Sequence, residues 1–243
     1  YYLAEYVSQD IEKAIYYLTL SADQNNLEAQ FILGCIYYKG NVTPKDVDKA
    51  IHYFEISANQ NCVDSLSYLG HIYYDEEHKK NIEKSIHYHL LAANHNHPLS
   101  QCYLGYIYHE RKNLEKSIFY YSLSTNQNNS IALNNIAIIY LYHKRDIVKG
   151  IRYLSLAAKL NSYHSQYLLG WYYINGIFVH KNNNIGIDLI NEACKNGDIR
   201  AHFDLGYFYL EGKYISRNIK KSMHHFHEAS NFKINGAKNN IGI

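Results

Sequence analysis

His224, His227 and Glu228 stand at i, i+3 and i+4. On a helix that spacing puts two imidazoles and a carboxylate on one face, a set able to hold Zn²⁺. His52 and His87 fill the same place in their own segments as His224, without the companions. The place therefore reads as an exposed helical position that accepts polar residues, and no metal is assigned to it. His87 and His89, two residues apart, point in different directions on a helix. The four cysteines, at 35, 62, 102 and 194, occur singly, with neither CxxC nor any other metal-ligand spacing. Such usage suits a reduced, cytoplasmic setting. The phosphate-loop, HExxH and nucleophile-elbow strings do not occur. No catalytic, cofactor or metal residue follows, and the chain reads as a protein that is not an enzyme.

Composition narrows the partners. Hydrophobic residues make up 47% of the chain, enough to fold a core. With 24 basic and 22 acidic residues and no basic run, nucleic acid is not a partner to expect. No apolar stretch approaches the roughly 18 residues of a membrane span, so direct membrane insertion is not expected either.

What could position functional side chains is a repeat. A small residue, usually after Lys and followed by Ile or Met, recurs at Ala14, Ala50, Ser85, Ser117, Gly150, Gly186 and Ser222. An aliphatic-Gly pair ends at Gly34, Gly70, Gly105, Gly170, Gly206 and Gly242, with Ala137 in the one departure. From each small residue the next Gly or Ala lies 20 residues on, whereas the return gaps are 16, 15, 12, 13, 16 and 16. A constant interval implies two helices held in register, and a variable one a surface loop.

The segment around each Gly (helix A) has a small residue five before it, from Ala29 to Ala237, an aliphatic one before, and Tyr three after, from Tyr37 to Tyr209. These offsets share one helical face. A recurring Gly inside a helix, at a cost of about 1 kcal/mol against Ala, predicts a neighbour too close for a larger side chain. The segment around the small residue (helix B) has Asp or Asn four before it, at Asp10, Asp46, Asn81, Asn113, Asp146, Asn182 and Asn218, which predicts N-caps. Three after the small residue come Tyr17, Tyr53, Tyr88, Tyr120, Tyr153, Leu189 and His225. Seven and eight after it stands a small pair, as in Ala157-Ala158 and Ala193-Cys194, so Cys194 reads as a small core residue.

The pattern small-x-x-x-Leu-Gly-x-x-Tyr, a loop, then Asp/Asn-x-x-Lys-Ala-Ile-x-Tyr and Ala-Ala resembles the Sel1-like repeat, a longer-loop relative of the tetratricopeptide repeat. Only Gly40-Asn41-Val42, Gly176-Ile177-Phe178 and Gly212-Lys213 hint at the family's Gly-x-Gly-Val loop element. The resemblance implies an all-α, right-handed solenoid of antiparallel helix pairs. It covers residues 1–243 as a single array of about seven repeats. Neither end looks like a polar cap, and Tyr1–Tyr6 reads as the tail of a preceding helix A, so a longer chain and self-association through the array ends are expected.

By analogy with tetratricopeptide arrays, helix A lines the concave side. Offsets +1, −3 and +4 from the Gly would then face a groove. The groove set is Tyr38, His71, Tyr74, Tyr106, His109, Tyr167, Trp171, Phe203 and Tyr207, and the +4 series also places Leu141 and Ile174 there. Such an aromatic, lightly charged lining suits a protein or peptide with apolar anchors. Packing between repeats competes for the same rings. The first expectation is thus an interaction scaffold or adaptor. The alternative, allowed by the resemblance, is a regulatory segment of a larger polypeptide, fused to a protein kinase or serving membrane-protein degradation. A metal-dependent enzyme rests on the histidines alone. A disulfide-stapled subgroup of the family, proposed to act on β-lactams, carries a cysteine pair in each repeat, which no repeat here does.

Overall fold

The computed structural model describes the backbone of residues 2–239 and the side chains of residues 10–231. The expectations at Ala237, at Ile241-Gly242 and for the side chains of Tyr1–Tyr6 lie outside the described residues. Thirteen helices and no strand occur among the described residues. They are α1 (Tyr2–Asp23), α2 (Leu27–Lys39), α3 (Val47–Asn59), α4 (Val63–Asp75), α5 (Ile82–Asn94), α6 (Pro98–Glu110), α7 (Leu114–Thr125), α8 (Ser130–Ile138), α9 (Ile147–Lys159), α10 (Tyr163–Asn175), α11 (Asn183–Lys195), α12 (Ile199–Glu211) and α13 (Ile219–Asn239). The chain divides into two compact units between Leu104 and Gly105, inside α6.

Both intervals of the repeat have a local cause. Every turn from helix B to the next helix A has a left-handed residue eleven after the small one. It is Asn25, Asn61, Asn96, Asn128 and Asn161, with φ between +58° and +67°, and then Gly197 at +95°. Asn tolerates this region best among residues with a side chain, so one turn geometry recurs and the interval stays constant. The opposite connection varies in length yet closes on one hydrogen bond. The cap residue of helix B donates its backbone N–H to the carbonyl of the +3 tyrosine. The pairs are Asp46 to Tyr37 (2.9 Å), Asn81 to Tyr73 (2.7 Å), Asn113 to Tyr108 (2.9 Å), Asp146 to Tyr140 (2.9 Å), Asn182 to Tyr173 (2.8 Å) and Asn218 to Tyr209 (2.8 Å). The three 16-residue gaps are those where helix A ends on a left-handed Gly, at Gly40, Gly176 and Gly212.

The predicted caps hold at six positions, where the side chain accepts from the backbone N–H three residues on, as Asp46 does from Lys49 at 3.0 Å. Asp10 is the exception, because α1 runs through it. The residues before it, Tyr2–Gln9, include neither Gly nor Pro to stop a helix.

The glycines sit where helices meet. A Cβ on Gly34 would lie 2.6 Å from the Phe54 ring, on Gly70 2.7 Å from His89, on Gly105 2.6 Å from Tyr121 and on Gly206 2.7 Å from Phe226. The obstructing ring always comes from helix B, four residues after its small residue. Where that small residue is Ser, its hydroxyl donates to the Gly carbonyl, as Ser85 does to Gly70 and Ser117 to Gly105, both at 2.7 Å. The Ala137 repeat inverts the arrangement: the close approach falls on Gly150 of helix B, filled by Leu141. A π-helical turn over Ile139–His143 continues α8 there. Ile174 fills Gly186 in the same way, with its Cγ1 2.5 Å from where a Cβ would stand. Leu141 and Ile174 are consequently core residues, 2% and 1% exposed, and not part of a groove. A Gly on helix B leaves a hollow that the +4 aliphatic fills.

A polar ladder runs along the same seam. In five repeats the +3 tyrosine of helix A stacks on the +3 ring of helix B, with Tyr37–Tyr53 at 5.8 Å, Tyr73–Tyr88 at 5.7 Å, Tyr108–Tyr120 at 5.5 Å, Tyr140–Tyr153 at 5.7 Å and Tyr209–His225 at 5.7 Å. The lysine before the small residue covers the first ring, from Lys84 over Tyr73 at 4.9 Å to Lys149 over Tyr140 at 5.4 Å. The recurrent Lys and Tyr thus have a structural cause, a cation over a stacked ring pair. Tyr173 has Leu189 and Ile185 in those places instead.

Candidate partner-binding faces

Within the first unit, the predicted groove residues Tyr38 and His71 belong to a continuous band of rings. Tyr38 packs edge-on against Tyr68 (5.8 Å) and His71 (6.2 Å), Phe31 against Tyr68 (5.9 Å), and His71 against Tyr103 (5.4 Å). Beneath them Tyr68 stacks on Phe54 at 4.9 Å and Tyr103 on His89 at 4.9 Å. All these side chains are buried or half-buried. Tyr74 lies under Lys80 at 5.7 Å. Burial, with the Glu76 and Asp75 carboxylates, holds the Tyr38 phenol well above its ordinary range. A cleft of about 390 Å³ remains, lined by Phe31, Ser67, Tyr68, His71, Leu99 and Tyr103 among others.

His89 is the unusual member. It is fully buried, its Nδ1 lies 3.2 Å from Ser100 Oγ, and its Nε2 has no partner. Burial first, then His71 and His97, lower its pKa to about 3, so it is a neutral ring occupying the place of Phe54 and Tyr121.

The second unit arranges the same offsets differently. Tyr167 Oη donates to Asp204 Oδ2 at 2.7 Å, and Trp171 Nε1 donates to the same oxygen at 2.8 Å. Arg200 lies over the Tyr167 ring at 4.3 Å and is tied to Asp198 at 2.6 Å. Burial and Asp204 raise the Tyr167 phenol. Phe203 and Tyr207 pack on Phe226, at 5.8 and 5.4 Å, yet remain 50% and 43% exposed. Beside them opens a cleft of about 600 Å³ walled by Tyr167, Ile199, Phe203, Asp204, Phe226 and Ala229 among others. Tyr106, 39% exposed, and His109 line a separate cleft of about 200 Å³ with Ile138 and Asn135.

The residues missed by the sequence reading are those two before the Gly: Tyr68, Tyr103 and Asp204. Each reaches back to the +1 or −3 side chain of the preceding repeat. The −2 offset lies one residue from −3, about 100° round the helix, and only the neighbouring repeat makes it relevant.

The family model of the Sel1 repeat matches seven times, over residues 1–26, 27–62, 63–97, 98–129, 130–162, 164–198 and 199–231. The chain belongs to the Sel1 repeat family. No curated protein matches it by sequence. Among solved structures, this Sel1 array is similar to a Sel1 repeat protein of Oxalobacter formigenes, with a TM-score of 0.79 and 22% identity over 92% of this chain and 98% of that one. It is also similar to c5321, a protective antigen of uropathogenic Escherichia coli, with a TM-score of 0.74 and 24% identity over 89% of this chain. The array spans about half of that protein, 48% of its length. A third likeness is to a chain of the Cut9–Hcn1 heterotetramer of the anaphase-promoting complex, with a TM-score of 0.57, 18% identity, and coverage of 92% of this chain and 44% of that one. These likenesses establish an all-α helical-repeat fold, a class commonly used to present surfaces to proteins.

Among the described residues, no helix is long and apolar enough to cross a membrane. Cys35, Cys62, Cys102 and Cys194 are free thiols. Burial pushes Cys102 up to about 12 and Cys194 up to about 11, the reverse of what an activated nucleophile requires.

Proposed function

We propose that the array is a protein-interaction scaffold and that a partner docks on the face built by Tyr167, Trp171, Phe203 and Tyr207. The occupant is an extended or helical peptide segment with an apolar anchor. The observation behind this reading is the pairing of two exposed rings, Phe203 and Tyr207, with a cleft whose aromatic wall is locked by Asp204. Rings fixed before binding lose little entropy on contact, which is what makes aromatic residues effective anchors. Tyr38 and His71 contribute mainly through packing within their own unit.

The test places a photo-crosslinking residue at Phe203 and, as a control, at Phe119, which is 55% exposed on helix B. A discrete adduct should form from position 203 alone. It should vanish in the Tyr106→Ala, Trp171→Ala, Tyr207→Ala variant while helicity by circular dichroism is unchanged. Equal adducts from position 119, or adducts that survive in the variant, would move binding to another surface and end the groove reading.

A further inference from the structure

Three side chains from three successive helices converge in the last repeat of the second unit. Cys194 closes α11, His202 lies in the first turn of α12, and His225 lies in the second turn of α13. His225 Nδ1 is 3.3 Å from His202 Nδ1 and 3.8 Å from Cys194 Sγ, and the three ligand atoms all lie within 4.8 Å of one another. Cys194 and His202 are buried and His225 is half-buried. Among the described residues this is the group of three or more potential ligands that comes together. The helix-face set His224, His227 and Glu228 does not assemble.

We propose that Cys194, His202 and His225 form a binding site for a single borderline-soft divalent cation, best matched by Zn²⁺, which clips α11, α12 and α13 together.

Geometry is the first support. Tetrahedral zinc, with bonds of about 2.0–2.1 Å to nitrogen and about 2.3 Å to sulfur, places two nitrogens about 3.3 Å apart and nitrogen and sulfur about 3.5 Å apart. The two separations that involve His225, 3.3 Å to His202 and 3.8 Å to Cys194, are within a few tenths of an ångström of those edges, and the third, between His202 and Cys194, lies within 4.8 Å and has to shorten on binding. A thiolate with two imidazoles also selects for zinc over magnesium or calcium.

The repeat supplies an independent argument. The places of Cys194, His202 and His225 are filled in turn by Ala22, Gln30 and Tyr53, by Ala58, Leu66 and Tyr88, by Ala93, Gln101 and Tyr120, by Thr125, Leu133 and Tyr153, and by Ala158, Gln166 and Leu189. None of these can supply an imidazole or a thiolate. Three departures from the repeat coincide in one place and meet at one point. In the Gln repeats the amide donates to the carbonyl of the small residue, as Gln166 does to Ala158 at 3.1 Å. His202 takes the place of that Gln, with its ligand nitrogen within 4.8 Å of the Cys194 thiol.

The surroundings agree. The His225 ring is held by stacking on Tyr209 at 5.7 Å, the fixed orientation a ligand needs. Burial lowers the pKa of both imidazoles, His225 to about 4, leaving the neutral, ligating form. On binding, the Cys194 S–H bond is lost to a metal–sulfur bond, and the proton leaves to solvent.

The test uses the full chain, stripped with chelator and titrated with Co²⁺ and then Zn²⁺. One Co²⁺ should bind per chain, with tetrahedral visible bands and a near-ultraviolet thiolate-to-cobalt band, and Zn²⁺ should displace it and raise the melting temperature. The variants Cys194→Ala, His202→Gln and His225→Tyr install residues that other repeats carry at those places, so they should fold. Each should weaken Co²⁺ binding by about 100-fold or more, and Cys194→Ala should also abolish the thiolate band. His224→Ala, together with His227→Ala, should leave binding intact. Absence of the thiolate band in the wild type, or binding that survives all three cluster variants, would reduce the cluster to a hydrogen-bonded core. Binding lost with His224 and His227 instead would place the ion on the exposed helix face and overturn the assignment.

Discussion

The two units carry the same helix-A offsets and use them in opposite ways. In the first, Tyr68 and Tyr103 enter between rings of the preceding repeat, so Phe31, Tyr38 and His71 are largely consumed by packing. In the last repeat of the second, the equivalent place holds Asp204, too short to fill the space. One of its oxygens gathers the Trp171 and Tyr167 donors, and Phe203 and Tyr207 stay in solvent beside an open cleft. Whether an outward offset becomes a surface is therefore decided by the residue two before the Gly of the following repeat.

The largest effects should come from the seams beneath the two faces. A Cβ on Gly170 meets the Gly186 carbonyl oxygen at 2.8 Å, whereas one on Gly70 meets the His89 ring at 2.7 Å. Backbone cannot rotate aside, and a ring buried in a full core can do so only by displacing its neighbours. Gly170→Leu should cost about 3 kcal/mol or more in urea denaturation, and Gly70→Leu somewhat less. A wild-type midpoint for Gly170→Leu would mean that the second face does not rest on a tight helix pair.

His89 makes its own helix seam sensitive to acid, which the rings of Phe54 and Tyr121 do not do at the same place in their repeats. Its ordinary pKa of 6.5 falls to about 3 in the fold, under burial and the nearby His71 and His97. Between those values the unfolded chain binds the proton and the folded chain does not, so stability falls as pH drops below about 6.5. His89→Phe, copying Phe54, should gain about 1 kcal/mol at neutral pH by removing an unpartnered buried nitrogen. The advantage should grow by about 2 kcal/mol at pH 5. Parallel stability curves for the two proteins from pH 7 to 5 would show that His89 takes up its proton without unfolding.

Much of this contrast is legible in the sequence, but unevenly. The helix pairs, six of the caps and the reason for the glycines follow from spacing, because each depends on residues within one repeat. Asp10 did not cap a helix, since its meaning depended on the segment before it. Leu141 and Ile174 turned inward because Gly150 and Gly186, on the facing helix, left room for them. Tyr68, Tyr103 and Asp204 went unnoticed for a related reason. Their role exists only across two repeats, and periodicity within one helix is silent about that. The recurring helix-A tyrosines have a further cause that spacing does not show, since Lys49, Lys84, Lys116, Lys149 and Lys221 of the facing helix lie over their rings.

Asp204 allows the comparison to be broken directly. Asp204→Ala should cost about 1 kcal/mol, because two half-buried donors lose their acceptor. Trp171 should report the change through altered fluorescence, being the only tryptophan in the chain. Asp204→Tyr imitates Tyr68 and should close the cleft, removing crosslinks from position 203 while the fold survives. A variant that still crosslinks would show that the residue two before the Gly does not govern access.

The smallest effect separates the ladders. Lys84 covers Tyr73 at 4.9 Å in the first unit, while one repeat of the second, that of Tyr173, has Ile185 in the matching place, 42% exposed. Exchanging the two residue types should act in opposite directions by about 0.5 kcal/mol, the size of an exposed cation–π contact. Lys84→Ile should lower stability and Ile185→Lys should raise it. Because Ile185 is not a core residue, its replacement forfeits little burial, and any gain reports the ring contact alone. Salt discriminates further: a cation held over a ring should lose part of its contribution at high ionic strength, whereas a packing effect of the lysine stem would persist. If both substitutions destabilise, the lysines serve helix B through their stems and caps, and the stacked tyrosines need no cation.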